Sequence, residues 1–456
     1  MGSGFFFDGN GDKEAFFGHE VAGRWLNVQT NPAVLSPSNA LSQSCVSSGD
    51  CEVVGTSQDA SGHAQAFEFP VSDGGEQLAT FIPGIASLNA GGNAGATAVS
   101  CPSAGNCVAG GYYTDMIGDQ HAFIAEETGG TWGNAIAIPG IIGLNVLGVA
   151  NVQNISCPSA GNCAVSGFYT DAHGNEQIFV ADEVNGTWGH FQDLGVLDGL
   201  NAGGSAEVDS MSCGSPGDCV GSGFFLDGNG NQEAFFGHEV AGRWENVQTN
   251  PTVLGPSNAL AESCVASSDC AVVGTSQDNN GHAQAFTFPV NDGGEQLATF
   301  IPGITALNAG GNAGATAVSC SSAGNCVAGG YYTDMIGDQH AFIAEEINGA
   351  WGNATPIPGI IGLNVLGVAN VQNVSCPSAG NCAVSGFYTD ASGNEQIFVA
   401  DEVNGVWGRA HRLPGPASTG NNSGAHVACW SAGNCTAGGA IITSGHLQAL
   451  VATEKS

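Results

Sequence analysis

Sixteen cysteines stand in eight pairs, each pair six positions apart: Cys45/Cys51, Cys101/Cys107, Cys157/Cys163, Cys213/Cys219, Cys264/Cys270, Cys320/Cys326, Cys376/Cys382 and Cys429/Cys435. Thiols so placed offer metal ligation or cross-linking. The C-x5-C interval is not the two-residue spacing of zinc knuckles, and no cysteine is left over, so disulfides are the better reading. Disulfides imply an oxidising compartment, hence secretion or the cell surface. Each bridge closes a loop of about seven residues, for which chain entropy gives roughly 2–2.5 kcal/mol. The expected benefit is local, one hairpin pinned in register. A second constellation pairs an indole with a carboxylate. Trp25, Trp132, Trp188, Trp244, Trp351 and Trp407 stand five residues after Glu20, Glu127, Glu183, Glu239, Glu346 and Glu402. A ring face can pack on a sugar while the acid accepts hydroxyl protons; the competing reading is a cross-strand pair with Trp filling a seam between sheets. A third is the turn Asp8-Gly9-Asn10-Gly11-Asp12, which alternates oxygen ligands as calcium loops do and is partly repeated at Asp227-Gly228-Asn229. Calcium is the one cofactor the sequence suggests. An Asp that binds only its own turn backbone accounts for the same residues.

These groups ride on a repeat of about 56 residues. In the copy from Gly95 to Gly140, the first strand is expected over 96–101 and the second over 107–113, with a polar turn between them. The third strand is expected around 121–125 and the fourth over 132–138, giving four antiparallel strands. Asp-x-x-Gly recurs between the second and third strands, from Asp8/Gly11 through Asp115/Gly118 to Asp390/Gly393, as a turn whose last residue needs positive φ. Eight residues beyond each Asp stands Phe16, Phe67, Phe123, Phe179, Phe235, Phe286, Phe342 or Phe398, with Leu450 at the end, a position that suits packing between neighbouring sheets. Four-stranded units in tandem, without helical periodicity, predict an all-β protein of the β-propeller class with one disulfide per repeat. A β-helix is the competitor, but its coils are shorter and lack two hairpin turns per unit. A longer period of 219 residues relates 2–220 to 221–439 almost word for word, so one propeller domain over 1–456 is read as a duplicated block plus a C-terminal partial repeat. The chain begins in a second strand and ends in a third, giving eight copies of the first and fourth strands and nine of the others. Eight blades are favoured and nine remain open.

Six Lys and Arg stand against 41 Asp and Glu, a formal charge of −35, which excludes a nucleic-acid partner because phosphate neutralisation needs a basic face. No apolar run is long enough for a spanning helix, and Met1 leads directly into a repeat, as in a mature or excised segment. In a propeller the turns between second and third strands share a face with the connections between units. That face carries the Asp-x-x-Gly turns and the longest connections, such as Pro139-Gly140 through Leu144-Asn145 and Pro358-Gly359 through Leu363-Asn364, and is where binding is expected. Carboxylates are plentiful, but no asymmetric constellation stands out for catalysis, and His121, His340, His63 and His282 recur as repeat partners. The sequence therefore reads as a secreted binding or scaffold module, multivalent for a glycan or protein. A glycan-active hydrolase or lyase and a ligand-free surface spacer are the alternatives.

The units resemble bacterial extracellular repeats of the HAF type, on His121-Ala122-Phe123 and His340-Ala341-Phe342. They are also similar to cysteine-paired propeller repeats of secreted actinobacterial proteins, on Ser-Cys-Pro-Ser-Ala-Gly-Asn-Cys at 100–107, 156–163 and 375–382. The resemblance covers nearly the whole chain and implies a propeller and export. It brings no catalytic residues.

Overall fold

In this computed structural model the described residues are all except 1, 8–12, 19, 22–23, 26–32, 47–49, 73–74, 190, 194–196, 245–246, 267–268, 292–293, 421–422, 444–445 and 454–456. The chain forms two compact units. One comprises Met1–Gly221, Phe225–Asn231 and Gly237–Val247; the other comprises Ser222–Phe224, Gln232–Phe236 and Gln248–Ser456. The division runs through the sheet that spans Ala206–Trp244.

The expected four-stranded meander is present in each repeat. In the specimen copy the strands are Ala94–Ser103, Asn106–Thr114, Gln120–Thr128 and a fourth split into Thr131–Trp132 and Ile136–Ala137, all antiparallel. The split falls at Gly133, whose N–H still bonds the Glu126 carbonyl. Among the described residues there are seven such sheets, a three-stranded C-terminal sheet (Ser423–Ser431, Asn434–Thr443, His446–Thr453) and N-terminal hairpins (Gly2–Phe7 with Lys13–Gly18, and Glu20–Val21 with Arg24–Trp25). The partial sheets lie at the two ends, as the strand count required. This all-β array of antiparallel blades, with one disulfide each, belongs to the β-propeller class. No helix of the described residues is long and apolar enough to cross a membrane.

Two features build each blade. The first strand bulges, so that Ala96 faces Gly111 while Ala98 faces Gly110, and the extra residue is Thr97. Its hydroxyl reaches the next sheet and donates to the Val152 carbonyl at 2.5 Å. The bulge drives a carbonyl into the second strand: a Cβ on Gly111 would lie 2.0 Å from the Gly95 oxygen, and Gly55, Gly167, Gly274, Gly330 and Gly386 are confined in the same way. Across the next ladder each of these glycines pairs with the repeated phenylalanine, as Gly111 with Phe123 and Gly330 with Phe342. Phe67, Phe123, Phe179, Phe235, Phe286, Phe342 and Phe398 are fully buried, so the sequence expectation of a packing position holds for them. Nothing is described of the Phe16 and Leu450 side chains.

The second feature is the stapled end of the blade. All eight expected bridges are formed: Cys45 with Cys51, Cys101 with Cys107, Cys157 with Cys163 and Cys213 with Cys219 in the first unit. In the second unit Cys264 is joined to Cys270, Cys320 to Cys326, Cys376 to Cys382 and Cys429 to Cys435. The Cα–Cα distances are 4.0–4.2 Å, and Cys264 and Cys270 face each other directly in the ladder.

The bridge pins its hairpin as expected, and it also contributes to the core. The second cysteine of every pair is buried: Cys51, Cys107, Cys163, Cys219, Cys270, Cys326, Cys382 and Cys435. Cys326 belongs to the same apolar cluster as Phe342, Cys382 to that of Phe398, and Cys435 to that of Leu413 and Ile441. These sulfurs therefore act as core atoms, since a bridged cysteine has lost its polar S–H and packs as a small hydrophobe. Their partners are half-buried, except for the exposed Cys45.

The serine before the first cysteine of a pair joins successive sheets. In the first unit the Cys101, Cys157 and Cys213 N–H groups donate to the hydroxyls of Ser44, Ser100 and Ser156. In the second unit Cys320, Cys376 and Cys429 donate to Ser263, Ser319 and Ser375, and all six bonds measure 2.9–3.2 Å.

Gly111→Ala is expected to cost about 3 kcal/mol in urea unfolding, because its Cβ meets immovable backbone. Gly118→Ala, whose Cβ meets open space at φ +98°, should cost only about 1 kcal/mol. Equal losses at the two positions would refute the bulge argument.

Candidate functional site

On the face of the long connections, the Asp-x-x-Gly turns have one geometry. Asp115 Oδ1 accepts the N–H groups of Ile117 and Asp119, both at 3.0 Å, and the Gly118 N–H donates to the Asp115 carbonyl. The turn glycines 62, 118, 174, 230, 281, 337 and 393 have φ between +80° and +98°. The second carboxylate oxygen holds the residue six positions on: Gln65, Gln177, Gln284 and Gln396, or a histidine in two copies. His121 Nε2 lies 3.2 Å from Asp115 Oδ2, and His340 is placed likewise against Asp334.

Five of these networks end on an asparagine of the connection, and that of Gln396 ends on Ser418. Asn145 donates to the Gln120 carbonyl at 2.7 Å, while its Oδ1 accepts the N–H groups of Val149 and Thr170. That fixes its amide, so the NH₂ faces His121 Nδ1 at 3.3 Å and the histidine must accept there and donate from Nε2 to Asp115. The two histidines act as braces between turn and connection. Asp115, Asp119 and His121, and Asp334, Asp338 and His340, come close enough to ligate a metal, but the turn and histidine already engage the Asp115 and Asp334 oxygens. The bracing asparagines went unread in the sequence, although the dipeptide Leu-Asn at 88–89, 144–145, 200–201, 307–308 and 363–364 marks them.

This rigid frame carries two apolar patches. Met116 and Ile117 sit at a turn tip, 83% and 79% exposed, and Met335 and Ile336 repeat them at 83% and 78%. The connection beside each adds exposed Ile142, Val146 and Leu147, or Ile361, Val365 and Leu366. The connection and turn are locked together: Gln120 N–H donates to the Gly148 carbonyl, and Gln339 N–H to that of Gly367. Leu147 reaches the next turn, at Gly174, and Leu366 the one at Gly393.

The tryptophans lie elsewhere, at the stapled end. Trp132, Trp244, Trp351 and Trp407 pair in the ladder with Glu127, Glu239, Glu346 and Glu402, and Trp188 with Glu183. Their half-buried rings pack against the cores at the seams between sheets. Three indoles donate to a carboxylate of the preceding sheet: Trp188 to Glu126, Trp244 to Asp182 at 3.1 Å, and Trp407 to Glu345 at 2.5 Å. Pro70 stands at the equivalent place before Trp132, whose buried Nε1 finds no partner. For Trp25 only the backbone pairing with Glu20 is described.

The seams thereby gather carboxylates. Burial raises Glu239 to about 8, aided by Asp182 and Asp218; Glu183 to about 7, aided by Glu126; and Glu402 to about 7, aided by Glu345. Burial also lifts Asp182 to about 6, against the opposing Trp244 hydrogen bond. Asp227 moves the other way, held low by the N–H of Asn231 foremost. Asp227 and Asn229 form an Asx-type turn, with Oδ1 accepting the N–H groups of Asn229 and Asn231 at 2.8 and 2.9 Å. Asp8, Asn10 and Asp12 lie outside the described residues.

No protein-family model matches the chain, and no curated protein matches it. Solved structures of similar shape include a Hadza microbial sialidase, Hz136 (TM-score 0.40, 11% identity, 93% of this chain and 75% of that one). Another is the β-propeller domain of the Trilobed protease from Pyrococcus furiosus (TM-score 0.40, 8% identity, 78% and 95%). A third is the six-bladed fungal lectin of Aleuria aurantia (TM-score 0.32, 10% identity, 76% and 88%). Likenesses this distant carry no activity over to this chain.

The raised seam carboxyls predict a pH dependence. Their folded pKa values exceed the ordinary 3.9–4.3, so their stabilisation is complete below about pH 4 and is lost as pH rises through roughly 6 to 8. Melting at constant ionic strength should show Tm falling by roughly 5 °C or more between pH 5 and 8.5, and Glu239→Gln should flatten the slope. A Tm that rises over this interval would contradict the assignment.

Proposed function

We propose that the protein is an extracellular, disulfide-stapled binding module that takes protein ligands bivalently through its two apolar loop patches. The observation that carries this reading is the pair Met116-Ile117 and Met335-Ile336, bare to solvent at two turn tips 219 residues apart. The sister turns carry Ser61, His173, Asn229, Asn280 and Ser392 in corresponding positions, so the apolar tips are a property of these two sites and not of the repeat. Contiguous exposed apolar residues on a braced frame suit a protein partner better than water. The connections have no charge from Thr128 to Thr170 or from Ile347 to Thr389, in a protein of net charge −35, so a partner seated on them meets ions only at the flanking turn aspartates. The indoles that would make sugar platforms are spent in the seams, which favours protein over glycan recognition. The bridged cysteines support residence in an oxidising compartment.

Wild type, Leu147→Asp, Leu366→Asp and the double variant can be measured against arrays of immobilised extracellular proteins and glycans. Each single change should weaken avidity at least ~10-fold and the double change should abolish it. Tm should stay unchanged, because both leucines are 53% exposed. Glycan binding that survives the double variant would overturn the reading, and binding of neither class would favour the spacer.

A further inference from the structure

Among the buried differences between the duplicated blocks, one is concerted. Segments 51–72 and 270–291 match except at five positions. Ala60/Asn279 and Ser61/Asn280 lie in an exposed turn, and Ser72/Asn291 ends a strand. The other two are Glu52/Ala271 and Glu68/Thr287. Glu52 and Glu68 are 2% and 5% exposed and sit diagonally on adjacent strands. Glu127 approaches across the seam from the next sheet, with its carboxylate within 4.8 Å of that of Glu52. The nearby Cys107 sulfur is committed to Cys101 and is no ligand. Thr80 donates to Glu68 Oε1, while Glu52 Oε1 and Glu68 Oε2 are buried with no hydrogen-bond partner. Glu52 and Glu127 line a cavity of about 150 Å³ that has no Lys or Arg in its wall.

We propose that Glu52 and Glu127, backed by Glu68, form a cation site in the seam between these two sheets, of the hard divalent class and best suited to calcium. Glu52 and Glu127 supply up to four oxygens, and the adjoining cavity has room for the waters that complete a shell of six to eight. Irregular carboxylate geometry suits calcium better than the strict octahedron of magnesium. An uncompensated cluster of three buried carboxyls would be costly, and a cation removes that cost. In the second unit Ala271, Thr287 and Glu346 occupy the equivalent places, leaving one carboxylate of the three. The molecule therefore carries its own control. This site is separate from the loop patches, and its failure would leave them untouched.

Terbium is the probe, because Trp132 neighbours Glu127 across the hairpin and can sensitise its luminescence. Indole excitation should reveal one Tb³⁺ per chain, displaced by Ca²⁺. Trp132→Phe should remove most of the emission without changing the affinity obtained by Ca²⁺ titration calorimetry. Glu52→Ala/Glu68→Thr installs residues that the second unit already folds with, and should abolish binding. The Tm gain of roughly 4 °C expected at saturating Ca²⁺ should vanish with it. Ala271→Glu/Thr287→Glu should raise the stoichiometry to two. Sensitised Tb³⁺ binding that persists in the Glu52→Ala/Glu68→Thr variant would overturn the proposal. So would a wild type whose Tm responds to acid but not to Ca²⁺, since the cluster would then hold protons.

Discussion

Among the described residues, six of the four-stranded blades are built around a backbone carbonyl that comes too close to its neighbour. The bulge in the first strand puts the Gly95 oxygen where any side chain at position 111 would have to be, and the same crowding recurs at Gly55, Gly167, Gly274, Gly330 and Gly386. Glycine is obligatory there, and the room above it is taken by the phenylalanine opposite, which becomes the largest buried side chain of the repeat. The bulge also turns Thr97 out of its own ladder to meet the Val152 carbonyl of the following sheet. One local irregularity thus sets the composition, the core and part of the junction between sheets.

What the sequence revealed and what it hid divide along a physical line. Local spacing is visible: cysteines six apart announce a stapled hairpin, and Asp-x-x-Gly announces a turn, because both partners lie within a few residues. The buried phenylalanines were legible from their fixed place in the period. Relations between strands or sheets were not. The pairing of Cys326, Cys382 and Cys435 could be read from spacing, but their place inside the apolar clusters could not, because it depends on which face of the strand meets the neighbouring sheet. The glycine required by the bulge looks like any other of the 72 glycines until the carbonyl beside it is seen. The serine before a first cysteine reads as strand filler, yet six of them bridge to an N–H 54 to 57 residues later. The apolar tips at Met116-Ile117 were hidden for a related reason: hydrophobic residues are assigned to a core by default, and only coordinates show two of them standing in water.

The electrostatics follow from scarcity of positive charge. With six Lys and Arg in the chain, buried acids in the seams cannot be paired off, and the structure leans on three other devices. Indole N–H groups donate to Glu126, Asp182 and Glu345; burial raises Glu183, Glu239 and Glu402 toward their neutral forms; and turn aspartates are held by backbone amides. The first two devices work at the stapled end and the third at the loop end, so each blade handles its acids differently at its two extremities.

The short reach of each sulfur bridge bears on how the chain becomes oxidised at all. Sixteen thiols can be joined in about two million ways, a search that would defeat random pairing. Here the correct partner is always six residues off, across a tight turn, and every wrong partner is dozens of residues away. Proximity selects the native set before any tertiary arrangement exists, so oxidation can proceed pair by pair as the polypeptide emerges, with little call on a shuffling catalyst.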